Sequence, residues 1–126
     1  MDIKFFKCEH CGNIVIKVVD AGVPVMCCGE KMVELVAGSV DAAVEKHVPV
    51  VEAEGSVVRV KVGEVEHPMT EEHLIQFVVL VTEKGYQVAQ LTAENEPKAE
   101  FVLAEGDAAV KVYEYCNLHG LWVNEL

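Results

Sequence analysis

The stretch Ala108–Leu126, AAVKVYEYCNLHGLWVNEL, decides how this chain is read. Its first half, VKVYEY, alternates in polarity as a half-buried β-strand does, and LWVNEL can return as a second strand. Between them, Cys116 and His119 stand three residues apart on a turn. At that spacing a thiolate and an imidazole can face one ion.

Working outward, the preceding chain reads as strand after strand. VPVVEAEG and SVVRVKVG flank Gly55, HLIQFVVLVTE and YQVAQLTAE flank Lys84-Gly85, and AEFVLAEG and AAVKVYEYC flank Gly106-Asp107. Short strands at this spacing, with no helical period, predict an antiparallel β-sandwich of about seven strands. Composition agrees: 52% of the 126 residues are hydrophobic and valine is the commonest type, which favours folded β structure over disorder.

A second organisation precedes the sandwich. Four of the five cysteines lie in KCEHCGNIV and VMCCGEKM, separated by a short strand and a Pro/Gly turn. A module of about 35 residues is too small to hold a core of its own and needs a staple such as a metal. The small stretch AGSVDAAV after Val36 reads as a linker, giving a metal-holding domain over residues 1–37 and a sandwich domain over 38–126.

Charge and cysteine usage narrow the function. With 21 acidic and 10 basic residues the net charge is −11, which opposes binding to nucleic acid or an anionic membrane surface. Any anionic substrate must be attracted locally. The amino-terminal MDIKFFKCEHCG has no apolar signal core, and no apolar run reaches the ~20 residues of a membrane span, so a cytoplasmic protein is expected. In that reducing compartment an odd number of cysteines points to metal ligation rather than disulfides.

The pair Cys8-x-x-Cys11, followed by Gly12, lets two thiolates grip one ion while the backbone turns back. The pair Cys27-Cys28 has no spacer, which should widen one sulfur–metal–sulfur angle. An all-thiolate site of this kind takes iron as a one-electron centre or zinc as a structural staple. His10, between the first two ligands, reads as a solvated residue. The second group is Cys116 and His119 with His47, which opens the strand HVPVV, His67 in EVEHPM, and His73, which opens HLIQFVV. Histidines at strand ends and loops can converge on one ion.

The combination of CEHCG…CCGE, EKHVPV, HPMTEEH and YCNLHGLW closely resembles the desulfoferrodoxins, the two-iron class of superoxide reductases, over essentially the whole chain. The resemblance implies that Cys8, Cys11, Cys27 and Cys28 hold a desulforedoxin-like iron. It implies that His47, His67, His73 and His119 are equatorial ligands of a catalytic non-haem iron, with Cys116 axial and a sixth position open. Glu45 and Lys46 match the charged pair beside that position: Lys46 to draw superoxide in against the net charge, Glu45 to coordinate the ferric ion after peroxide leaves. Also implied are an immunoglobulin-like catalytic domain, a homodimer, a rubredoxin-like electron donor and no haem or flavin. Tyr115, Trp122 and Met69 read as packing residues, the first two able to shield the site from water.

Three rival readings stay open at this level. A blue-copper electron carrier also uses a cysteine and a nearby histidine on a β-sandwich, but no methionine follows His119 and two histidines would be idle. A zinc-stapled binding module without catalysis and a superoxide dismutase are the others.

Overall fold

A computed structural model describes residues 3–40, 42 and 44–126, with Glu45 described by its backbone alone. The chain divides into two compact units, Met1–Val36 and Ala37–Leu126. This division falls one residue before the boundary read from the sequence.

In the small unit, β1 (Phe5–Lys7) lies between β2 (Ile14–Ile16) and β5 (Val33–Leu35), antiparallel to both. A two-stranded ribbon of β3 (Met26–Cys27) and β4 (Glu30–Lys31) accompanies them. Cys28 and Gly29 close that ribbon with φ of 53° and 76°, the paired positive angles of a type I′ turn. The CCG motif is therefore a strand end plus a tight turn. A left-handed conformation at a residue bearing a Cβ costs ~1–2 kcal/mol, so Cys28 holds its place against a backbone penalty. Phe5, Cys8 and Met32 are the buried apolar side chains of this unit among the described residues.

In the large unit a single helical turn, α1 (Val44–His47), leads into seven strands. They are β6 (Pro49–Glu54), β7 (Val57–Val62), β8 (Ile75–Thr82), β9 (Tyr86–Gln90), β10 (Lys98–Val102), β11 (Ala109–Cys116) and β12 (Gly120–Glu125). One sheet has the order β10-β7-β6 and the other β12-β11-β8-β9, with every pairing antiparallel. The alternation VVRVKV explains the first sheet: Val58, Val60 and Val62 face inward while Arg59 and Lys61 face water. They meet Ile75, Val78, Leu80, Val112 and Cys116 from the second sheet. Full burial of each such aliphatic side chain contributes ~1.5–3 kcal/mol, and this core ends at Cys116, the last residue of β11.

The seven strands and antiparallel sheets match the expectation, with two differences in detail. Strands β10 and β11 flank Gly106-Asp107 but do not pair; β10 joins β7, and β11 joins β8 and β12. A turn signal marks a reversal, not a partner. The Asp107 carboxylate accepts from the Lys84 N–H at 3.1 Å and the Ala108 N–H at 2.9 Å, pinning the crossover to the β8–β9 turn. His47 closes the helical turn rather than opening a strand, because the Val48 N–H donates to the Val44 carbonyl at 3.0 Å. Among the described residues no helix is long and apolar enough to cross a membrane.

The register of β8 against β11 is irregular where it matters for the site. Tyr115 faces Phe77 and Cys116 faces Ile75, so Gln76 bulges out of the ladder. With Gln76 exposed, Ile75 keeps an inward position against Cys116.

Candidate metal centres

Two groups of side chains gather ligand atoms within 4.8 Å of one another, and together they contain every cysteine and four of the five histidines. The first is Cys8, Cys11, Cys27 and Cys28; the second is His47, His67, His73, Cys116 and His119. His10 lies exposed in the first turn and belongs to neither. All five cysteines are free thiols.

The turn Cys8–Gly12 builds half of the first group. The Gly12 N–H donates to the Cys8 carbonyl at 2.9 Å, with Gly12 at φ 85°, and the Cys11 N–H donates to Cys8 Sγ at 3.4 Å. Cys11 Sγ and Cys27 Sγ lie 3.6 Å apart, and Asn13 Nδ2 donates to Cys27 Sγ at 3.7 Å. Sulfurs ~2.3 Å from one ion at tetrahedral corners stand about 3.8 Å apart, so this set fits a four-coordinate metal. Thiol acidities reflect the crowding. Above all the Cys11 backbone N–H draws Cys8 down to about 6, while the Cys11 and Cys8 sulfurs push Cys28 up to about 12. A bound cation would remove the competition by favouring all four thiolates.

The second group is a ring of imidazoles. Neighbouring ring centroids are 4.9 Å apart for His47–His67, 4.7 Å for His67–His73, 5.0 Å for His73–His119 and 4.8 Å for His119–His47, with interplanar angles of 75° to 87°. Four nearly equal sides and nearly perpendicular neighbours make a square of propeller blades. Cys116, at the end of β11, brings its sulfur 3.9 Å from His119 Nδ1. His47 and Cys116 are 2% and 0% exposed, so these donors sit where water cannot satisfy them.

Which nitrogens face inward can be read from their partners. His67 Nδ1 is 2.7 Å from the Pro68 carbonyl and must donate to it, which leaves Nε2 with a lone pair. His67 Nε2 and His73 Nε2 are buried without a hydrogen-bond partner. Each such orphan costs ~1–3 kcal/mol, a cost that a metal ion would remove. His47 Nε2 and His119 Nδ1 are 3.1 Å apart, and nitrogens ~2.1 Å from a common ion at right angles stand about 3 Å apart. Three Nε2 atoms, one Nδ1 and one sulfur therefore fit one metal.

Burial favours the neutral form of two of the imidazoles, His67 and His73, as ligation requires. For His67 it holds the pKa down at about 4, aided by the other imidazoles and partly offset by the Pro68 carbonyl. For His73 burial acts first, then His119, then the ammonium of Lys46. Lys46 is exposed on α1 and exerts its charge on the ring. The Glu45 side chain lies outside the described residues. Burial pushes the Cys116 thiol up, opposed by the Leu118 and His119 backbone N–H groups and reinforced by Glu114.

Three residues matter more than their sequence context signals. Trp122 stacks on His47 at 5.2 Å and 24° and donates from Nε1 to the His119 carbonyl at 2.9 Å, so it steadies two ligands as well as packing. Asn117 binds the chain on both sides of His73. Glu114 is fully buried with neither carboxyl oxygen partnered, and burial pushes it up to about 9, so it is neutral at pH 7. Glu114 was legible as a break in pattern, a carboxyl on the inward side of β11 between Val112 and Cys116. Asn117 was not, because asparagine on a turn is ordinary.

Comparison with known proteins places this geometry. A family model for desulfoferrodoxin matches residues 39–125, and one for the desulfoferrodoxin N-terminal domain matches residues 2–35. The chain belongs to the desulfoferrodoxin family. A desulfoferrodoxin of Syntrophotalea carbinolica is 45% identical over 123 residues, covering 98% of this chain and 96% of the relative. The crystal structure of the superoxide reductase from Treponema pallidum aligns with a TM-score of 0.85 at 38% identity over 98% of each chain. A superoxide reductase (1Fe-SOR) from Giardia intestinalis aligns with a TM-score of 0.56 at 35% identity, over 65% of this chain and 99% of its own. In this desulfoferrodoxin-family chain the all-cysteine group and the histidine-rich group correspond to two irons.

Proposed function

We propose that this chain is a superoxide reductase: superoxide, one electron and two protons become hydrogen peroxide, with no oxygen released. The observation that carries the reading is the ring of four imidazoles, two of them fully buried, closed by the Cys116 thiol, in a chain of this family. Held by His47, His67, His73, His119 and Cys116, iron would supply the electron, with thiolate donation favouring its oxidised state.

The chain's own residues do the rest. Lys46 offers a local positive potential that brings an anion toward a protein of net charge −11. Glu45, beside it, provides a carboxylate for the ferric state. Trp122, buried and stacked on His47, keeps bulk water from the ligand shell, whereas Tyr115 stacks on Phe77 on the other face of its sheet. The His67 bond to the Pro68 carbonyl fixes the tautomer that points Nε2 inward.

Residues 1–37 form a desulforedoxin-like domain whose Cys8, Cys11, Cys27 and Cys28 hold the second iron, and residues 38–126 form an immunoglobulin-like catalytic domain. A rubredoxin-like protein re-reduces the enzyme in the cytoplasm. Exposed Val18, Val19 and Val23 offer apolar surface to a second copy in a homodimer.

The deciding experiment is the yield of peroxide per superoxide consumed by anaerobically reduced, iron-loaded protein, with oxygen followed alongside. One peroxide per superoxide and no oxygen is expected. One peroxide for every two superoxides, with oxygen, makes the protein a dismutase, and no reaction leaves a metal-binding module.

A further inference from the structure

We infer that Asn117 is the positioning residue for His73, tying that imidazole to the turn that carries Cys116 and His119. The inference rests on reading the four imidazoles and Cys116 as the iron site. Asn117 Oδ1 accepts from the Leu74 N–H at 3.0 Å, Nδ2 donates to the Glu72 carbonyl at 3.0 Å, and the Asn117 N–H donates to the Leu74 carbonyl at 3.2 Å. The residues it grips are the two neighbours of His73. His73 itself is bound by Thr70: the Thr70 N–H donates to the His73 carbonyl at 2.9 Å and the His73 N–H donates to the Thr70 carbonyl at 3.2 Å. The backbone on either side of the imidazole is thus occupied, and the ring is aimed by what holds it.

His73 lacks the supports that Cys116 and His47 have. Strand β8 begins at Ile75, so no ladder reaches His73, whereas Cys116 ends a strand and His47 is stacked on Trp122. Its Nε2 is buried without a partner, so a small swing of the loop would leave the square open on one side. Asparagine alone suits the position. Aspartate would set a carboxylate oxygen against the Glu72 carbonyl, alanine would lose both bonds, and glutamine would overshoot by a methylene. Supporting partners of ligands typically change metal affinity by about 10- to 100-fold.

The test titrates Fe(II), and Co(II) as a spectroscopic stand-in, into metal-free full-length protein, comparing wild type with Asn117→Ala and Asn117→Asp. Affinity at the histidine-rich group is expected to fall ~10- to 100-fold in Asn117→Ala, and less in Asn117→Asp, which keeps the acceptor for Leu74. The Cys116-to-metal charge-transfer band should shift as the ligand field loses an imidazole, while the all-cysteine group titrates unchanged. Wild-type affinity with an unshifted band in both variants would overturn the role. So would an equal loss in Gln87→Ala, which deletes a bond to the Val102 carbonyl away from every ligand. If Asn117→Ala does not fold, Asn117→Asp decides, and unfolding of both would make Asn117 a scaffold residue instead. Failure of the reductase reading is a separate result: iron-loaded wild type that leaves superoxide untouched.

Discussion

In the small unit Cys11 and Cys28 are exposed and the buried apolar side chains among the described residues are Phe5, Cys8 and Met32, whereas in the large unit His47, His67 and Cys116 are all buried and Cys116 belongs to the aliphatic core between two sheets. Thiol chemistry differs in its cause. In the small unit the Cys11 N–H draws Cys8 down to about 6 while the Cys11 and Cys8 sulfurs push Cys28 up to about 12; in the large unit burial pushes Cys116 up. The difference teaches that a ligand set can be made in two ways. In the small unit the turns exist to hold sulfur and the ion supplies the missing core; in the large unit a finished sandwich holds the site in readiness.

Removing metal should separate the two regions most strongly. With chelator, amide protection across β1, β2 and β5 is expected to vanish, while the sandwich strands stay protected and melt cooperatively. Hydrogen exchange on the whole chain reads both at once, and retained protection in β1–β5 would break the comparison. A smaller effect is expected from Lys46→Ala, which touches function in the large unit alone. Superoxide capture should slow by about tenfold and lose part of its salt dependence, with the resting spectra of both centres unchanged; an unaltered capture rate would remove the steering role.

The smallest effect concerns acid. The Asp107 carboxyl is held below its ordinary range by Thr82 first and then by the Ala108 and Lys84 N–H groups. A lowered folded value means that its stabilisation is present above the ordinary carboxylate pKa of ~4 and is lost as pH falls through the folded value. Asp107→Asn should therefore lower the melting temperature of the sandwich slightly at neutral pH, with the difference closing in acid. Asp20 in the small unit is held down likewise, chiefly by the Gly22 N–H and the Lys17 ammonium, so acid alone should not discriminate between the units.

How much of this was legible in the sequence follows from what each feature depends on. The strands could be read because alternation such as VVRVKV is local, and the ligands could be read because cysteine and histidine at strand ends have no competing core role. Features that depend on distant approach could not. Asn117 meets Leu74 and Glu72 across 43 and 45 residues of chain, and nothing at either end announces the other. The crossover between β10 and β11 was hidden for the same reason, since Gly106-Asp107 signals a turn without naming the sheet that receives it. The Gln76 bulge was hidden because a run as apolar as FVVLVT gives no parity to violate.

The left-handed turn at Cys28 bears on what this scaffold can become. Cys28 is the one non-glycine residue with positive φ among those described, and that backbone region is tolerated best by glycine, asparagine and aspartate. Two of those three carry an oxygen donor. Of the four sulfur positions, this is where a harder ligand enters with the backbone already suited to it. A single substitution there would move the small centre from soft toward borderline metal preference, leaving the chain's path intact.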